Sequence, residues 1–350
     1  MRPNEITRAI IDATIDRGLR EIEEDPQRSI RKLTDMGRQF SKGRFLQEIY
    51  AIFQELLRND DSPYYPAIEH LLRHTDRKCL KDFGINVGYN SLTYGGKIIR
   101  GIEAKKSFQI PWALILRIDP TLPGTISTAE IEHCIRQGRP LGIYTYIIRC
   151  KSSLSCLEDL AQLLSTYKDC AFIVTLPDQE LTPAQLALLK PCTNSMCLFP
   201  ALTASCMTNC KNMQRQRSWY GTYDYYSDAD SRQWIAGERT HEFTQYESSF
   251  VILIARDDCT PTCRQRVGRF VKDFRLQPTY PFILFDLYED ALQIDHIMSS
   301  EACFFEFLEN GDIHTHNGPV TDYRHALSLE QLFAKTLPKA KGKGEKTLQS

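Results

Sequence analysis

Residues 112–149, WALILRIDPTLPGTISTAEIEHCIRQGRPLGIYTYIIR, carry the pattern that decides the fold. Trp112–Ile118 and Gly142–Ile148 are apolar runs of strand length, and the segment between them has the signals of a helix. Ser127 and Glu130 have the spacing of a capping box, in which the serine oxygen accepts a hydrogen bond from an amide of the first helical turn. A strand, a helix and a second strand of these lengths form a βαβ unit, so the stretch predicts a parallel sheet.

The same alternation of strand and helix continues along the chain. Four further strands are predicted, at Cys170–Leu176, Met196–Leu202, Phe250–Ala255 and Phe282–Leu287. Thr203–Ser249 is polar and aromatic and shows no clear pattern. Six strands alternating with helices predict an α/β domain with a parallel sheet, open or barrel-like. The ligand site of such a sheet lies at the carboxyl ends of its strands, which for the first strand is the loop Pro120–Ile126.

Changes in pattern divide the chain into four parts. Helical periodicity dominates residues 1–81, and an Asn-Gly turn signal between two short strands marks residues 296–337. The last part is basic, has few apolar residues and is expected to be a flexible tail. The predicted parts are a helical N-terminal segment (1–81), the α/β domain (82–295), a small hairpin-plus-helix region (296–337) and the tail (338–350).

The composition is that of an ordinary globular protein, with 42% hydrophobic and 25% charged residues in 350. A net charge of -1 gives no reason to expect nucleic acid or an anionic membrane as a partner. No apolar stretch approaches the roughly 20 residues that span a bilayer, and the charged N-terminus lacks the pattern of a signal peptide. A cytoplasmic location is therefore expected, with no membrane contact.

Twelve cysteines are scattered along the chain. In the cytosol they should be mostly reduced, and most are expected to be small buried hydrophobic residues. None has the C-x2-C spacing of a zinc ribbon. The closest pairs are Cys150/Cys156, Cys192/Cys197, Cys206/Cys210 and Cys259/Cys263.

Three charged residues are candidates for holding a ligand at the carboxyl ends of the strands. Arg149 and Lys151 lie just past the end of one strand, and Asp286 ends another. They could bind an anionic or polar ligand. The alternative is that the two basic residues are solvated loop charges and that the aspartate caps a loop. The sequence contains no Gly-rich phosphate loop, no H-E-x-x-H and no G-x-S-x-G motif that would favour another chemistry.

A second candidate site lies in the C-terminal hairpin. His314 and His316 share one face of a strand, and Cys303 lies across the hairpin, so the three could ligate a metal ion. The alternative is a solvent-facing pair of histidines, because a two-residue metal motif is weak evidence.

Nearly the whole chain, from about Ala9 to Pro338, resembles a group of bacterial radical S-adenosylmethionine (SAM) proteins that have a helical N-terminal extension. The resemblance implies a six-stranded partial (β/α) barrel and a C-terminal region of the kind that often carries an auxiliary cluster. It also implies the family cofactors, a [4Fe–4S] cluster and SAM. The stretches that carry it are SPYYP (62–66), FGINVGYNSLTYGGKIIR (83–100), IPWALIL (110–116), GRPLGIYTYI (138–147), YKDCAFIV (167–174) and FFEFLENGDIH (304–314).

The chain departs from this family at the ligand loops. Family enzymes carry C-x3-C-x2-C after the first strand, where three thiolates bind the cluster and its open iron holds SAM. Here Asp119–Ile126 contains no cysteine. Cys150–Ser153 replaces the G-G-E-P loop, and Pro177-Asp178 replaces an Asn-Gly turn. The usual cysteine of the C-terminal hairpin is replaced near His314–Asn317.

Three hypotheses follow from these departures. The first is a radical-SAM-like pseudoenzyme without cofactor or catalytic residues. It would act as a binding or regulatory partner, for a cluster-bearing radical SAM relative or another protein, through the N-terminal helices or the barrel mouth. The second is a residual enzyme with another ligand or metal in the mouth. The third is a radical SAM enzyme with relocated cluster cysteines, such as Cys150, Cys206 and Cys210, which is disfavoured because one short loop supplies the ligands in this family.

Overall fold

A single ten-stranded sheet is the frame of the protein in this computed structural model. Its strands are β1 (Ala113–Ile118), β2 (Thr145–Cys150), β3 (Ala171–Thr175), β4 (Ser195–Pro200), β5 (Tyr220–Tyr226), β6 (Phe250–Ala255), β7 (Ile283–Asp286), β8 (Phe305–Phe307), β9 (Ile313–Thr315) and β10 (Gly318–Val320). The structure describes residues 3–21, 28, 30–32, 34, 35, 38, 47, 51, 54–299, 301–320 and 327–339. Most of the predicted helical pattern between residues 22 and 53 lies outside the described residues.

The strand order is β10-β9-β8-β1-β2-β3-β4-β5-β6-β7. Strands β1 to β7 are parallel and follow the chain order, and β8 is parallel to the free side of β1. The short strands β9 and β10 continue the sheet in antiparallel fashion. The sheet is curled. This is shown by the Arg117 side chain on β1, which reaches Asp257 just after β6. A partial (β/α) barrel is therefore present.

The predicted count of six barrel strands is wrong, because β5 also belongs to the parallel series. Its sequence, YGTYDYY, lies inside the stretch that showed no pattern. Gly221, Tyr223 and Tyr225 alternate with Tyr220, Thr222, Asp224 and Tyr226, so tyrosines occur on both faces of the strand. That arrangement removes the contrast between apolar and polar positions by which a strand is recognised.

Helices cover the outer side of this sheet. Those in the described part of the chain are α1 (Pro3–Glu21), α2 (Tyr64–His74), α3 (Arg77–Ile85), α4 (Gly96–Glu103), α5 (Thr128–Leu141), α6 (Leu157–Thr166), α7 (Pro183–Leu189), α8 (Cys206–Arg215), α9 (Ser231–Ile235), α10 (Pro261–Leu276), α11 (Leu287–Met298) and α12 (Leu329–Thr336). A 3-10 helix spans Thr240–Tyr246, and a π-helix spans Asn86–Gly95. None of these helices has both the length and the apolar character needed to span a membrane.

The predicted capping box of the first crossover is confirmed. Ser127 Oγ accepts a hydrogen bond from the Glu130 amide at 3.2 Å, and the Glu130 carboxylate accepts one from the Ser127 amide at 2.7 Å. Helix α5 continues through Gly138 and Pro140 to Leu141, and its C-cap is Gly142, whose φ of +97° is readily adopted only by glycine.

The helices before β1 close the amino-terminal end of the barrel. The π-helix joins α3 to α4, and the Asn86 and Asn90 side chains donate hydrogen bonds to carbonyls just before β3. Tyr64 on α2 donates a hydrogen bond to the Arg275 carbonyl, and Lys81 on α3 forms ion pairs with two aspartates of α1. The described N-terminal helices therefore pack against one another and onto the barrel.

The C-terminal region completes the other edge of the sheet. A turn with Gly311 at φ +83° joins β8 and β9, so the predicted hairpin is confirmed. Helix α12 packs on α5, and its Phe333 ring lies edge-on to Phe305 of β8, with centroids 5.1 Å apart. Beyond residue 339 the predicted basic tail lies outside the described residues.

Candidate functional site

The carboxyl ends of β2 to β6 surround a cavity of about 520 Å³, here called the mouth cavity. Arg149 and Lys151 line it, so two of the three predicted ligand-binding residues lie together. Tyr225 and Arg256 also line it, and the Arg256 guanidinium lies 5.1 Å from the centre of the Tyr225 ring. This is the side of a parallel sheet where ligands bind.

Beneath this cavity lies a buried network of charged groups. Arg117 on β1 and Arg149 on β2 are paired in register, and both side chains point to the inner face of the curled sheet. Glu306 on β8 lies between them and is fully buried. It accepts hydrogen bonds from Arg117 at 2.7 and 2.9 Å and from Arg149 at 2.9 Å. Tyr288, at the start of α11, donates to the same carboxylate at 3.0 Å.

The outer part of the network reaches the surface. Arg117 donates two hydrogen bonds to Asp257, at 2.7 and 2.9 Å, and the Asp257 side chain is 70% exposed. His314 Nδ1 lies 3.1 Å from the Glu306 carboxylate. Because a carboxylate only accepts, this nitrogen must carry the hydrogen.

The electrostatics of Glu306 follow from these contacts. Burial alone would raise the pKa of Glu306, because it disfavours the charged form. The hydrogen bond from His314 and the charges of Arg149 and Arg117 outweigh burial and hold the pKa of Glu306 well below its usual range. The residue is therefore an ionised carboxylate at neutral pH.

The sequence interpretation missed four members of this network: Arg117, Asp257, Tyr288 and Glu306. The available signal was a single charge in an otherwise apolar strand, as in ALILRI and FFEF. A charge that is buried with its strand must have a partner of opposite sign.

Lys151 and Asp286 have partners of their own. Lys151 forms an ion pair with Glu309 in the β8–β9 turn. Asp286 is fully buried and caps α11, where it accepts hydrogen bonds from the Tyr288 and Glu289 amides and from the Tyr226 hydroxyl. Burial raises the pKa of Asp286 to about 7. The mouth cavity does not include it.

The three predicted metal ligands do not converge on one point. The Cys303 thiol is buried, and its backbone amide donates to Asp295 at 2.8 Å. His314 is engaged by Glu306, while His316 packs against Phe304 with ring centroids 6.5 Å apart. These three side chains are not among the groups of donors close enough to share an ion.

The loop after β1, where a cluster would be expected, is closed by its own hydrogen bonds. Thr125 Oγ1 accepts from the Asp119 amide at 3.0 Å, and the Asp119 carboxylate accepts from Thr121 at 2.6 Å. The Ser152 hydroxyl, in the loop after β2, donates to the same carboxylate at 2.6 Å. The two loops are thus tied together through the Asp119 carboxylate.

The three cysteines considered as relocated cluster ligands, Cys150, Cys206 and Cys210, lie outside this loop. Cys150 faces Cys156, with sulfurs 3.8 Å apart, next to β2 and α6. Cys206 and Cys210 face each other at 4.0 Å on α8, which packs on β4 and β5. The residues present therefore do not fit a [4Fe–4S] cluster at the first loop.

Comparison with known proteins gives weak similarities only. No family model matches the chain, and no curated protein does. The chain is similar to SuiB of Streptococcus suis bound to S-adenosylmethionine, with 11% identity, 65% of this chain and 63% of that chain covered, and a TM-score of 0.46. It thus spans just under two thirds of that structure.

Two other solved structures are similar to a comparable degree. Native anSMEcpe with bound AdoMet has 8% identity over 64% of this chain and 81% of that chain, with a TM-score of 0.42. The 3-dehydroquinate dehydratase of Geobacillus kaustophilus HTA426 has 10% identity over 56% of this chain and 82% of that chain, with a TM-score of 0.36. Similarity at this level carries no conclusion about the ligand or activity of this chain.

Proposed function

We propose that this protein is a binding or regulatory protein on a partial (β/α) barrel of radical SAM type, and that it does not assemble the cluster of that family. The observation that carries the proposal is the loop after β1. It contains no cysteine, and Asp119 ties it to Thr125 and to Ser152 of the neighbouring loop. In the family that the chain resembles, three thiolates on this one short loop bind the cluster and leave one iron open for SAM.

The buried network supports the same proposal. Arg117 and Arg149 occupy the interior below the mouth cavity, and Glu306 holds both in place. Side chains fixed by several hydrogen bonds favour a rigid scaffold that binds a ligand or a partner. The partner expected through the N-terminal helices, a cluster-bearing radical SAM relative or another protein, stays a prediction.

Anaerobic reconstitution tests the proposal. After incubation with ferrous iron and sulfide and removal of the excess, the protein should remain colourless and contain no stoichiometric labile sulfide. A cluster-bearing radical SAM enzyme treated in parallel controls for the procedure. A stoichiometric cluster with the visible absorption of iron–sulfur centres would refute the proposal.

A second candidate, a small anionic ligand in the mouth cavity, is favoured by a specific observation. Arg149 Nε is buried and has no hydrogen-bond acceptor, although Nη1 of the same guanidinium donates to Tyr288 and Glu306. A carboxylate or phosphate in the cavity would supply the missing acceptor, and Arg256 adds positive charge at the rim. The Arg256→Ala substitution, at an exposed position, should weaken the thermal stabilisation of the protein by inorganic phosphate or citrate. An equal shift in both proteins would argue against this site.

A further inference from the structure

Two neighbouring loops at the carboxyl ends of β5 and β6 bring three potential metal ligands together. In the part of the chain that the structure describes, Asp228, Cys259 and Cys263 form the group whose donor atoms all lie within 4.8 Å of one another. Asp228 follows β5. Cys259 follows β6, and Cys263 lies in the first turn of α10.

We propose that these three side chains bind a zinc ion. Two thiolates and one carboxylate suit a borderline-soft divalent cation, and a site with three protein ligands leaves one position of a tetrahedron open. Both cysteines are buried, whereas Asp228 is exposed, so the group lies next to the protein surface. The ion would bind as both thiols release their protons, two per zinc ion.

The distances are compatible with this coordination. With zinc–sulfur bonds of about 2.3 Å, two sulfurs of a tetrahedral site lie about 3.8 Å apart. Donors that already lie within 4.8 Å reach this arrangement by small side-chain rotations. The backbone positions of the two loops are therefore suitable as they stand.

Thr260 orients two of the proposed ligands. Its amide and hydroxyl donate to the two oxygens of Asp228, at 2.8 and 2.7 Å. Its hydroxyl oxygen also accepts from the Cys263 amide at 3.2 Å, as the N-cap of α10. Each carboxylate oxygen keeps a second lone pair for a metal. Outer contacts that hold ligands in place are a regular feature of metal sites.

The chain contains a matched control for the two cysteines. Cys206 and Cys210 have the same spacing, and they too lie in or next to the first turn of a helix, where both are buried. Their sulfurs lie 4.0 Å apart, but no carboxylate or histidine of the described chain completes a group of three. Burial of two cysteines at this spacing is thus common to both pairs, and the carboxylate distinguishes the proposed site.

Cobalt substitution tests the site with the full-length protein. Metal-depleted protein titrated with Co²⁺ should develop a thiolate-to-cobalt charge-transfer band that saturates at one equivalent, and zinc should displace it. The double variant Cys259→Ser/Cys263→Ser should lose the band, whereas Cys206→Ser/Cys210→Ser should keep it. Asp228→Asn, at an exposed position, should weaken zinc affinity by more than about tenfold, since even outer-contact variants reach that loss.

Three results would overturn the inference. They are the absence of a thiolate–cobalt band in the wild type, its retention in the Cys259/Cys263 variant, and its equal loss in the Cys206/Cys210 variant when both variants show native circular dichroism. The site does not involve the loop after β1. Zinc binding without labile sulfide therefore leaves the proposed function intact, and cluster assembly in a protein that still develops the thiolate–cobalt band would refute only that function.

Discussion

Replacing Glu306 by glutamine tests the buried network most directly. The carboxylate is fully buried and accepts hydrogen bonds from Arg117, Arg149 and Tyr288. Glutamine keeps the shape but removes the charge, and its amide group directs hydrogen atoms at a guanidinium donor. Removing one partner from a buried ion pair leaves an uncompensated charge, which costs about 3–5 kcal/mol. We expect the free energy of unfolding to fall by that amount.

Urea denaturation, followed by tryptophan fluorescence and circular dichroism, measures this loss. Asp257→Asn is the matched control, because Asp257 bonds the same arginine but its side chain is 70% exposed; its loss should be at most about 1 kcal/mol. In an Arg149→Met background, Glu306→Gln should cost less, with a coupling of about 0.5–3 kcal/mol. Equal losses for Glu306→Gln and Asp257→Asn would refute the reasoning that burial makes Glu306 the critical counter-charge.

Two further predictions concern other parts of the fold. Gly95→Ala should destabilise the protein by more than about 1 kcal/mol, because the added β-carbon would overlap the Gly142 carbonyl. Gly84 lies in a helix with open space around it, so Gly84→Ala should stabilise the protein by about 0.5–1 kcal/mol. Thermal denaturation of the two variants compares these effects. Burial raises the pKa of Asp295 to about 7, so between about pH 4 and 7 the folded protein keeps a proton that the unfolded chain releases. The free energy of unfolding should therefore decrease as the pH rises through this window, by at most about 4 kcal/mol, and Asp295→Asn should flatten that decrease. A pH profile that is the same in both proteins would contradict the assignment.

Local signals made the first βαβ unit predictable. The capping box at Ser127 and the apolar runs of β1 and β2 depend on neighbours within a few residues, and these elements form as expected. Strand β5 was missed because its tyrosines hide the alternation. The network was missed for a different reason. Arg117 and Glu306 are 189 residues apart in sequence, and a pattern within one strand cannot tell which distant charge it meets.

The three predicted ligand-binding residues divide into two that line the mouth cavity and one that does not. Arg149 and Lys151 were found at the mouth because a strand end in a parallel sheet has a known position. Asp286 satisfies that rule equally, yet its side chain turns to cap α11. Strand position alone therefore locates a residue, while the direction of its side chain depends on the helix that follows.

The position of β8 connects the C-terminal region to the mouth cavity. Arg117 and Arg149 are in register on adjacent strands, so the fold places two buried cations side by side. Glu306 supplies the buried anion only because β8 pairs in parallel with β1. The C-terminal strand is therefore part of the barrel interior, and a chain ending before it would leave both guanidinium groups without their buried counter-charge.

The same groups explain why an anion is the ligand class to expect. Within the fully buried set, Arg117 and Arg149 carry two positive charges and Glu306 carries one negative charge, while the second carboxylate of the network, Asp257, lies at the surface. With Asp257 counted, the four groups carry no net charge, and what remains is Arg149 Nε, which faces no acceptor on a side chain that lines the mouth cavity. A ligand anion there would supply the missing acceptor without replacing the bonds to Glu306. This unsatisfied donor, rather than an excess of charge, supports the anionic ligand proposed for the mouth.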